Sequence, residues 1–151
     1  MAPSKSHWLA DPARAGVFHL TADARQTAEA AAAAGLAAYR IDIGRAHDQA
    51  EFMEGVSQAL LFPGWFGHNW DALADCLKDL SWLDTKDKTV GFVLVLEKSK
   101  HFAAAHRHEF ELAMDLLAET ADYWRGEGRA FWALIGGPEG WKSGYPGMPE
   151  L

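Results

Sequence analysis

The feature that most restricts the fold is the run of residues 89–96, TVGFVLVL, which is apolar at almost every position. A strand with one solvated face alternates polar and apolar residues, whereas a strand covered on both faces forms a continuous apolar run. The run therefore predicts a strand in the interior of a sheet that has other elements packed on both of its faces.

Further strand and helix patterns alternate along the chain. Strand-like runs lie at residues 17–20, 38–43 and 130–135, and helical spacing of apolar residues lies at residues 24–34, 48–61, 70–80 and 101–125. The last of these is long enough for one helix or for two helices with a bend. Thr21 and Asp23 are plausible caps for the first helix, and Gly35 ends it. Alternation of this kind predicts parallel strands, right-handed crossovers and an α/β layered domain.

The length of 151 residues, of which 49% are apolar, is sufficient for one globular domain. We expect a flexible N-terminus over residues 1–15 and a single domain over residues 16–136. Within that domain, residues 16–36 form an additional strand and helix, and residues 37–136 form the main body. Residues 137–151 are rich in Gly and Pro and predict an irregular tail, whose Trp141 and Tyr145 are candidates for packing back on the domain.

Charge and cysteine content limit the class of ligand and the compartment. Twenty-one acids against 14 bases give a net charge of −7, which argues against nucleic acid as the ligand and is compatible with solubility alone or with a basic partner. The single cysteine, Cys76, excludes an intrachain disulfide and favours a reducing compartment. The N-terminal residues do not resemble a signal peptide, and no run predicts a membrane span, so we expect a cytoplasmic protein.

Residues 62–80, FPGWFGHNWDALADCLKDL, contain the strongest functional pattern. Pro63 and Gly64 end the preceding helix. Gly67 permits a tight turn, and Asn69 is a good N-cap for the next helix. At roughly 100° per residue, that helix has two separate sectors. The apolar sector, which must face the sheet, contains Trp70, Leu73, Leu77 and Leu80. The acidic sector, which must therefore face outward, contains Asp71, Asp75 and Asp79.

The acidic row destabilises its own helix. Carboxylates four residues apart cost roughly 0.2–0.5 kcal/mol per pair, and Asp79 lies where the helix dipole disfavours an acid. The row is either a solvated acidic face or a surface that binds cationic groups of a partner. The adjacent turn favours a partner, because it places Trp65, Phe66 and His68 beside the charges, as is typical of an interface centre. We expect Trp65 to be exposed and Phe66 to belong to the core.

This segment resembles the barstar family. In that family, a loop of the form Pro-x-aromatic-aromatic-Gly-x-Asn leads into a helix that reads x-Asp-Ala-Leu-x-Asp-Cys-Leu. The resemblance extends over residues 39–135 and implies a three-stranded parallel sheet packed with helices, to which the strand at residues 17–20 could add a fourth. The pattern is kept at Pro63, Trp65, Phe66, Gly67, Asn69, Asp71, Ala72, Leu73, Asp75, Cys76 and Leu77.

The resemblance implies a protein inhibitor that acts by binding, without catalysis, cofactor or metal. In the family, the loop and the acidic helix enter the active-site cleft of a small basic ribonuclease, where carboxylates take the place of RNA phosphates. Asp75 would meet the cationic groups at the centre of that cleft, and Asp71 would pair with a neighbouring basic group. Trp65 would stack on the catalytic histidine of the ribonuclease, and Asn69 would form hydrogen bonds with backbone groups at the rim of the cleft. The free inhibitor is expected to be a monomer.

Several positions depart from the family pattern. Ala74 stands where a well-known member has Trp, Asp79 stands where it has Gly, and Trp65 replaces Tyr. A further acid on the last helix matches either Glu119 or Asp122. These departures leave open a second interpretation, in which the same face binds a different basic toxin, as an immunity protein, or a cytoplasmic regulatory protein. The complete predicted partner-binding surface is Trp65, Gly67, His68, Asn69, Asp71, Ala74, Asp75, Asp79, Glu119 and Asp122.

Other residue patterns give weaker support for chemistry. His101 and His108 share a helix face but lie about 10 Å apart, too far to ligate one metal with His106. The three aspartates spread over about 12 Å on a convex helix, which suits neither one cation nor a glycosidase carboxylate pair. Cys76 flanks the apolar sector and is expected to be buried and unreactive. Gly136 and Gly137 follow a strand, but the motif of a phosphate loop is missing.

Overall fold

The computed structural model describes residues 7–64, 69–83 and 89–148. The described residues form four strands, five α-helices and a short 3-10 helix at His7–Ala10. The strands are β1 (Val17–His19), β2 (Leu36–Asp42), β3 (Gly91–Glu97) and β4 (Ala130–Ile135). The helices are α1 (Ala24–Ala33), α2 (Gln49–Ala59), α3 (Trp70–Asp79), α4 (Lys100–Ala105) and α5 (Arg107–Gly126).

All four strands pair in parallel, in the order β1-β4-β3-β2. The α/β class and the parallel sheet predicted from the sequence are therefore confirmed, and the N-terminal strand supplies the fourth strand. It pairs with β4 through Val17 and Ala133, at the edge opposite β2. The connection through α1 consequently crosses the whole sheet, and the later connections return one strand at a time.

The two faces of the sheet bury two separate cores, which explains the continuous apolar sequence of β3. Phe92, Leu94 and Leu96 belong to the larger core, which also contains the buried faces of α2 to α5. Val93 and Val95 point to the smaller core, where they meet residues of α1 and of the N-terminal segment. The strand is therefore buried at six consecutive positions.

The N-terminal segment packs on the smaller core. The indole of Trp132 donates a hydrogen bond to the carbonyl of Leu9 at 2.7 Å, and Leu9 is fully buried. Arg125 donates to the carbonyls of Pro12 and Ala15 at 3.1 and 2.8 Å. Residues 7–15, which the sequence predicts to be flexible, thus have specific contacts with β4 and α5, and residues 1–6 lie outside the described residues.

The C-terminal segment runs back along β1. Met148 donates its backbone N–H to the carbonyl of His19, and His19 donates to the carbonyl of Pro146. Trp141 and Tyr145 are half-buried and pack against the larger core. The described part of this segment therefore shields the edge of β1 from solvent. No helix among the described residues is long and apolar enough to span a bilayer.

The predicted helix at residues 101–125 consists of two helices. They meet at His106, whose φ of −129° and ψ of 53° lie outside the helical region. Phe102 and Phe110 are both fully buried on either side of the break, with their rings 6.3 Å apart. The change of direction lets α4 and α5 each turn an apolar face to the same core.

Candidate partner-binding site

Helix α3 begins and ends with defined caps. The side chain of Asn69 accepts a hydrogen bond from the backbone N–H of Ala72 at 2.8 Å, as expected for an N-cap. Asp71 lies in the first turn, where the helix dipole favours an acid. The helix ends at Leu80, which is fully buried and adopts a left-handed conformation with φ 54°. The chain therefore turns sharply away immediately after Asp79.

The apolar sector of α3 fixes the helix on the body of the protein. Leu73, Cys76 and Leu77 are buried in the larger core. The indole of Trp124 on α5 donates a hydrogen bond to the carbonyl of Leu77 at 2.9 Å. At the other end of the helix, the ring of Trp70 lies 6.4 Å from that of Phe52 on α2. Contacts at both ends hold the helix against two neighbours.

The acidic sector faces outward, but its three members differ. Asp71 and Asp75 are exposed, and within the described part of the chain neither carboxylate has an ion pair or a hydrogen bond. Asp79 is half-buried and accepts a hydrogen bond from the hydroxyl of Ser81 at 3.1 Å. The turn after Leu80 brings Ser81 beside the last carboxylate, so Asp79 is less accessible than Asp71 and Asp75.

The side chain of Ala74 projects little from this surface. It is half-buried and packs against the larger core. A Trp side chain at this position would project from the helix, whereas the methyl group of Ala74 leaves the helix surface flat beside the two exposed carboxylates. The exposed face therefore offers two negative charges one helical turn apart, and neither has a partner among the residues that the structure describes.

The loop before α3 begins near the opposite end of that helix. The indole of Trp82 donates to the carbonyl of Leu60 at 3.0 Å, and its ring meets that of Phe62 edge-on at 5.6 Å. Trp82 follows the C-terminal end of α3, so Phe62 lies near that end, whereas Asn69 caps the N-terminal end of the helix. Trp65, Phe66, Gly67 and His68 lie outside the described residues.

Leu61 is a surface residue that sequence reasoning did not identify. It is 72% exposed and has a φ of 55°, a conformation that non-glycine residues rarely adopt. A large apolar side chain in such a position, at the start of the loop, adds apolar area beside the acidic helix. Its only signal in the sequence is an apolar residue directly before Phe62 and Pro63, where a helix has to end.

Comparison with known proteins places this geometry in a family. The family model described as Barstar (barnase inhibitor) matches residues 36–136. This chain belongs to the barstar family. A comparison with curated proteins finds no match. Members of the barstar family are inhibitors rather than enzymes, and the match begins at the first residue of β2 and ends just after β4. The strand β1 and the helix α1 lie before the barstar match and extend the sheet beside β4.

The two candidate acids on the last helix of this barstar-family chain differ in their contacts. Asp122 pairs with Arg125, which also reaches the carbonyls of Pro12 and Ala15 on the N-terminal side. At roughly 100° per residue, Glu119 lies only about 60° from Asp122, so the two exposed acids share one face of α5. Glu119 has no ion pair within the described part of the chain, whereas Asp122 does, so we expect Glu119 to be the more available of the two for a partner.

We expect Glu119→Ala to weaken partner binding and Asp122→Ala to leave it nearly unchanged. A rim charge contributes about 0.5–1 kcal/mol, mostly through the association rate. Asp122→Ala should instead lower the free energy of unfolding by a similar small amount, because it removes the partner of Arg125. Kinetic binding measurements and urea unfolding of both variants separate the two effects. The opposite ranking in binding would mean that Asp122, and not Glu119, contacts the partner.

Cys76 is fully buried inside α3, as the sequence predicts. Burial raises the pKa of its thiol, and the nearby charges of Asp79 and Asp75 raise it further. A raised pKa keeps the thiol protonated and therefore weakly nucleophilic. The stability that this group contributes is fully present below the pKa of an unfolded cysteine and is lost as the pH rises through the folded pKa.

We expect the native protein to react with a thiol reagent at pH 8 orders of magnitude more slowly than the unfolded chain, because Cys76 must first become exposed by opening of the fold. The rate of colour release from a chromogenic disulfide, with and without urea, measures this directly. An equally fast reaction in both states would mean that the α3 region opens readily in solution.

The histidines of α4 and α5 and the glycine pair after β4, which are candidates from the sequence for metal or phosphate sites, have the following surroundings. The rings of His101 and His106 lie 6.1 Å apart, and His108 is exposed. Among the described residues, no group of three or more ligating side chains could hold a metal. A Cβ atom on Gly137 would lie 2.2 Å from the ring of Trp141, so this glycine permits the close approach of the C-terminal segment.

Proposed function

We propose that this chain inhibits a basic ribonuclease by placing α3 and the preceding loop in the active-site cleft of the enzyme. Asp75 occupies the centre of the contact, Asp71 pairs with a neighbouring cation, and Asn69 and the loop residues Trp65, Gly67 and His68 form the surrounding contacts. The observation that carries this proposal is the pair of exposed carboxylates, Asp71 and Asp75, without partners in the described part of the chain.

The physical basis of the proposal is the similarity of this pair of carboxylates to successive phosphates of a nucleic acid backbone. A ribonuclease cleft binds phosphates through cationic groups, and two carboxylates about 5–6 Å apart on a rigid helix offer successive negative charges in their place. Since Asp71 and Asp75 have no ion pair with the described residues, association can exchange water for the cations of the enzyme without breaking such a pair. The net charge of −7 also accelerates the approach of a basic partner.

Binding rather than catalysis is further supported by the nature of the exposed groups on α3. Its outward side presents carboxylates, whereas its thiol, that of Cys76, faces the core. A serine–histidine contact exists elsewhere, between Ser143 and Nδ1 of His19 at 2.9 Å. Ser143 is 1% exposed there and its hydroxyl also accepts from the backbone of Tyr145, so this contact anchors the C-terminal segment.

The test is a titration of purified basic microbial ribonucleases with this protein, followed by RNA cleavage. We expect stoichiometric loss of activity for at least one enzyme, with association that slows as salt is added because the charges act at long range. The Asp71→Ala/Asp75→Ala double variant provides the matched comparison. Equal inhibition by the double variant and the natural sequence, or no inhibition of any enzyme, would contradict the proposal.

A second candidate partner follows from the shape of the site. Ala74 and Asp79, both half-buried, make the face of α3 flatter and differently charged from the family pattern. Such a face could instead bind another basic toxin, as an immunity protein, or a basic regulatory protein. Affinity capture with the natural chain and with the double variant distinguishes these partners. The relevant protein is the one that the natural chain captures and the double variant does not. A ribonuclease supports the first proposal, and a protein of another class supports the second.

A further inference from the structure

A crevice of about 810 Å³ lies over the carboxyl ends of the four strands. Residues that follow each strand contribute to its lining, namely Leu20 after β1, Gly44 after β2, Lys98 after β3 and Gly136 after β4. It is formed entirely by residues outside the predicted partner-binding surface. Its volume lies within the range of about 300–1,000 Å³ that is typical of pockets for small molecules.

The topology of the sheet creates this crevice. The connection that leaves β1 forms α1, whose Ala31 is buried in the smaller core on one face of the sheet. The connection that leaves β3 forms α4, whose Phe102 is buried in the larger core on the other face. Strand β4 lies between β1 and β3, so a gap opens above its end. In open parallel sheets, ligands bind where neighbouring connections depart to opposite faces.

The lining combines an apolar surface with cationic groups. Leu20, Ala104 and Pro138 supply apolar atoms, and Lys98, Lys100 and His101 supply hydrogen-bond donors. Among residues 7–64, 69–83 and 89–148, Lys100 makes no ion pair, and its side chain lies in an exposed position. The crevice therefore offers one cation whose interactions are with solvent alone in the described part of the chain.

The acids of the lining are already engaged within the protein. Both carboxylate oxygens of Glu97 accept hydrogen bonds from Arg40, at 2.8 and 2.9 Å. The carboxylate of Asp23 accepts from the backbone N–H of Gln26 at 2.9 Å as the cap of α1. Arg40 compensates the charge of Glu97, and the N-terminal end of α1 stabilises that of Asp23, so Lys100 is the charged group of the lining that has no counterpart among the described residues.

The backbone conformation of Lys98 is a second observation, independent of the lining, that favours a ligand site in the crevice. It has a φ of 59°, in the left-handed region that glycine normally occupies at the end of a strand. Its ammonium group lies 3.1 Å from a carboxylate oxygen of Asp42, which directs the side chain along the strand ends. Backbone conformations of this kind persist only where the surrounding structure holds them, and they cluster at active sites and ligand sites.

We propose that the crevice binds a small organic anion with an apolar ring, and that Lys100 and His101 contact the anionic group. The ring lies on Leu20, Ala104 and Pro138. This site is separate from α3, so it does not depend on ribonuclease inhibition. Because α4 carries Lys100, His101 and Ala104, this short helix supplies most of the side chains that contact the ligand.

The test uses 1-naphthyl phosphate as the probe, with 1-naphthol and inorganic phosphate as the two partial ligands. In NMR titrations of the full chain, we expect saturable shifts of the amides of Gly44, Ala104, Gly136 and Gly137, with a Kd below about 1 mM. Each partial ligand should bind at least about tenfold more weakly. If 1-naphthol binds as tightly as 1-naphthyl phosphate, the crevice has no anion site. If inorganic phosphate binds as tightly as 1-naphthyl phosphate, the crevice has no site for the apolar ring.

Variants locate the binding within the crevice. Lys100→Gln should weaken the binding of 1-naphthyl phosphate roughly tenfold, and Lys142→Gln, which makes the same charge change outside the crevice lining, should have no effect. Ala104→Trp fills the crevice from an exposed position and should abolish binding while the circular dichroism spectrum stays native. Unchanged binding by a natively folded Ala104→Trp protein, or equal losses in both lysine variants, would refute the proposed site.

Discussion

Replacing Asp75 by Ala is expected to weaken binding of the inhibited ribonuclease more than any other single substitution on α3. Asp75 is exposed, lies one turn from both Asp71 and Asp79, and has no partner in the described part of the chain. In the proposed complex, its carboxylate is buried against cationic groups, which its removal leaves unpaired. Truncation of such a pair costs about 2–5 kcal/mol, or roughly 30-fold to several thousand-fold in Kd.

Kinetic binding measurements should assign most of this loss to a faster dissociation rate, because a central desolvated pair acts on the complex more than on the encounter. Asp71→Ala should cause a smaller loss of the same kind. Glu29→Ala on α1 is the matched control, since it removes one exposed acid on the opposite face of the sheet. If Glu29→Ala and Asp75→Ala weaken binding equally, net charge alone explains the association and phosphate mimicry is wrong.

The interior of the fold could be predicted because its signal is local. The continuous apolar run of β3 indicates burial on both faces, and β4 has the bounds that its sequence pattern predicts. The position of β1 in the sheet could not be predicted in this way. It is only three residues long, and its pairing with β4 joins residues more than 100 positions apart in the chain.

The break between α4 and α5 also lacks a local signal, because neither Pro nor Gly stands near His106. It arises from the packing of Phe102 and Phe110 into one core. The candidate site shows the same division between local and distant causes. The cap at Asn69 and the acidic sector of α3 follow from local rules, whereas the half-burial of Asp79 depends on how the chain returns through Ser81.

Replacement of Trp124 is expected to have the largest effect on stability among residues that hold α3 in place. The carbonyl of Leu77 lies in the last turn of α3, where the sharp turn at Leu80 ends the helical hydrogen bonds, and the buried indole of Trp124 supplies a donor at 2.9 Å. Trp124→Phe leaves that carbonyl without this donor and should cost about 1–3 kcal/mol. Trp124→Ala also creates a cavity and should cost about 3–5 kcal/mol.

Urea unfolding followed by circular dichroism measures these losses, and Trp141→Phe is the matched control. Trp141 is half-buried in the C-terminal segment, so its replacement should cost less than about 1.5 kcal/mol. Equal losses in the two Trp→Phe variants would mean that the contact with Leu77 contributes no special stability.

Stability and binding should respond in opposite ways to substitutions on the two sides of α3. Asp75→Ala removes repulsion with carboxylates one turn away on either side, at roughly 0.2–0.5 kcal/mol per pair, so the free protein should become slightly more stable as its affinity falls. Trp124→Phe should lower the free energy of unfolding yet change the affinity of the folded protein by less than about threefold, since the exposed carboxylates keep their positions. A surface that evolved only for solubility has no reason to retain a destabilising row of acids. Loss of stability in Asp75→Ala would therefore show that the row serves the fold itself rather than a partner.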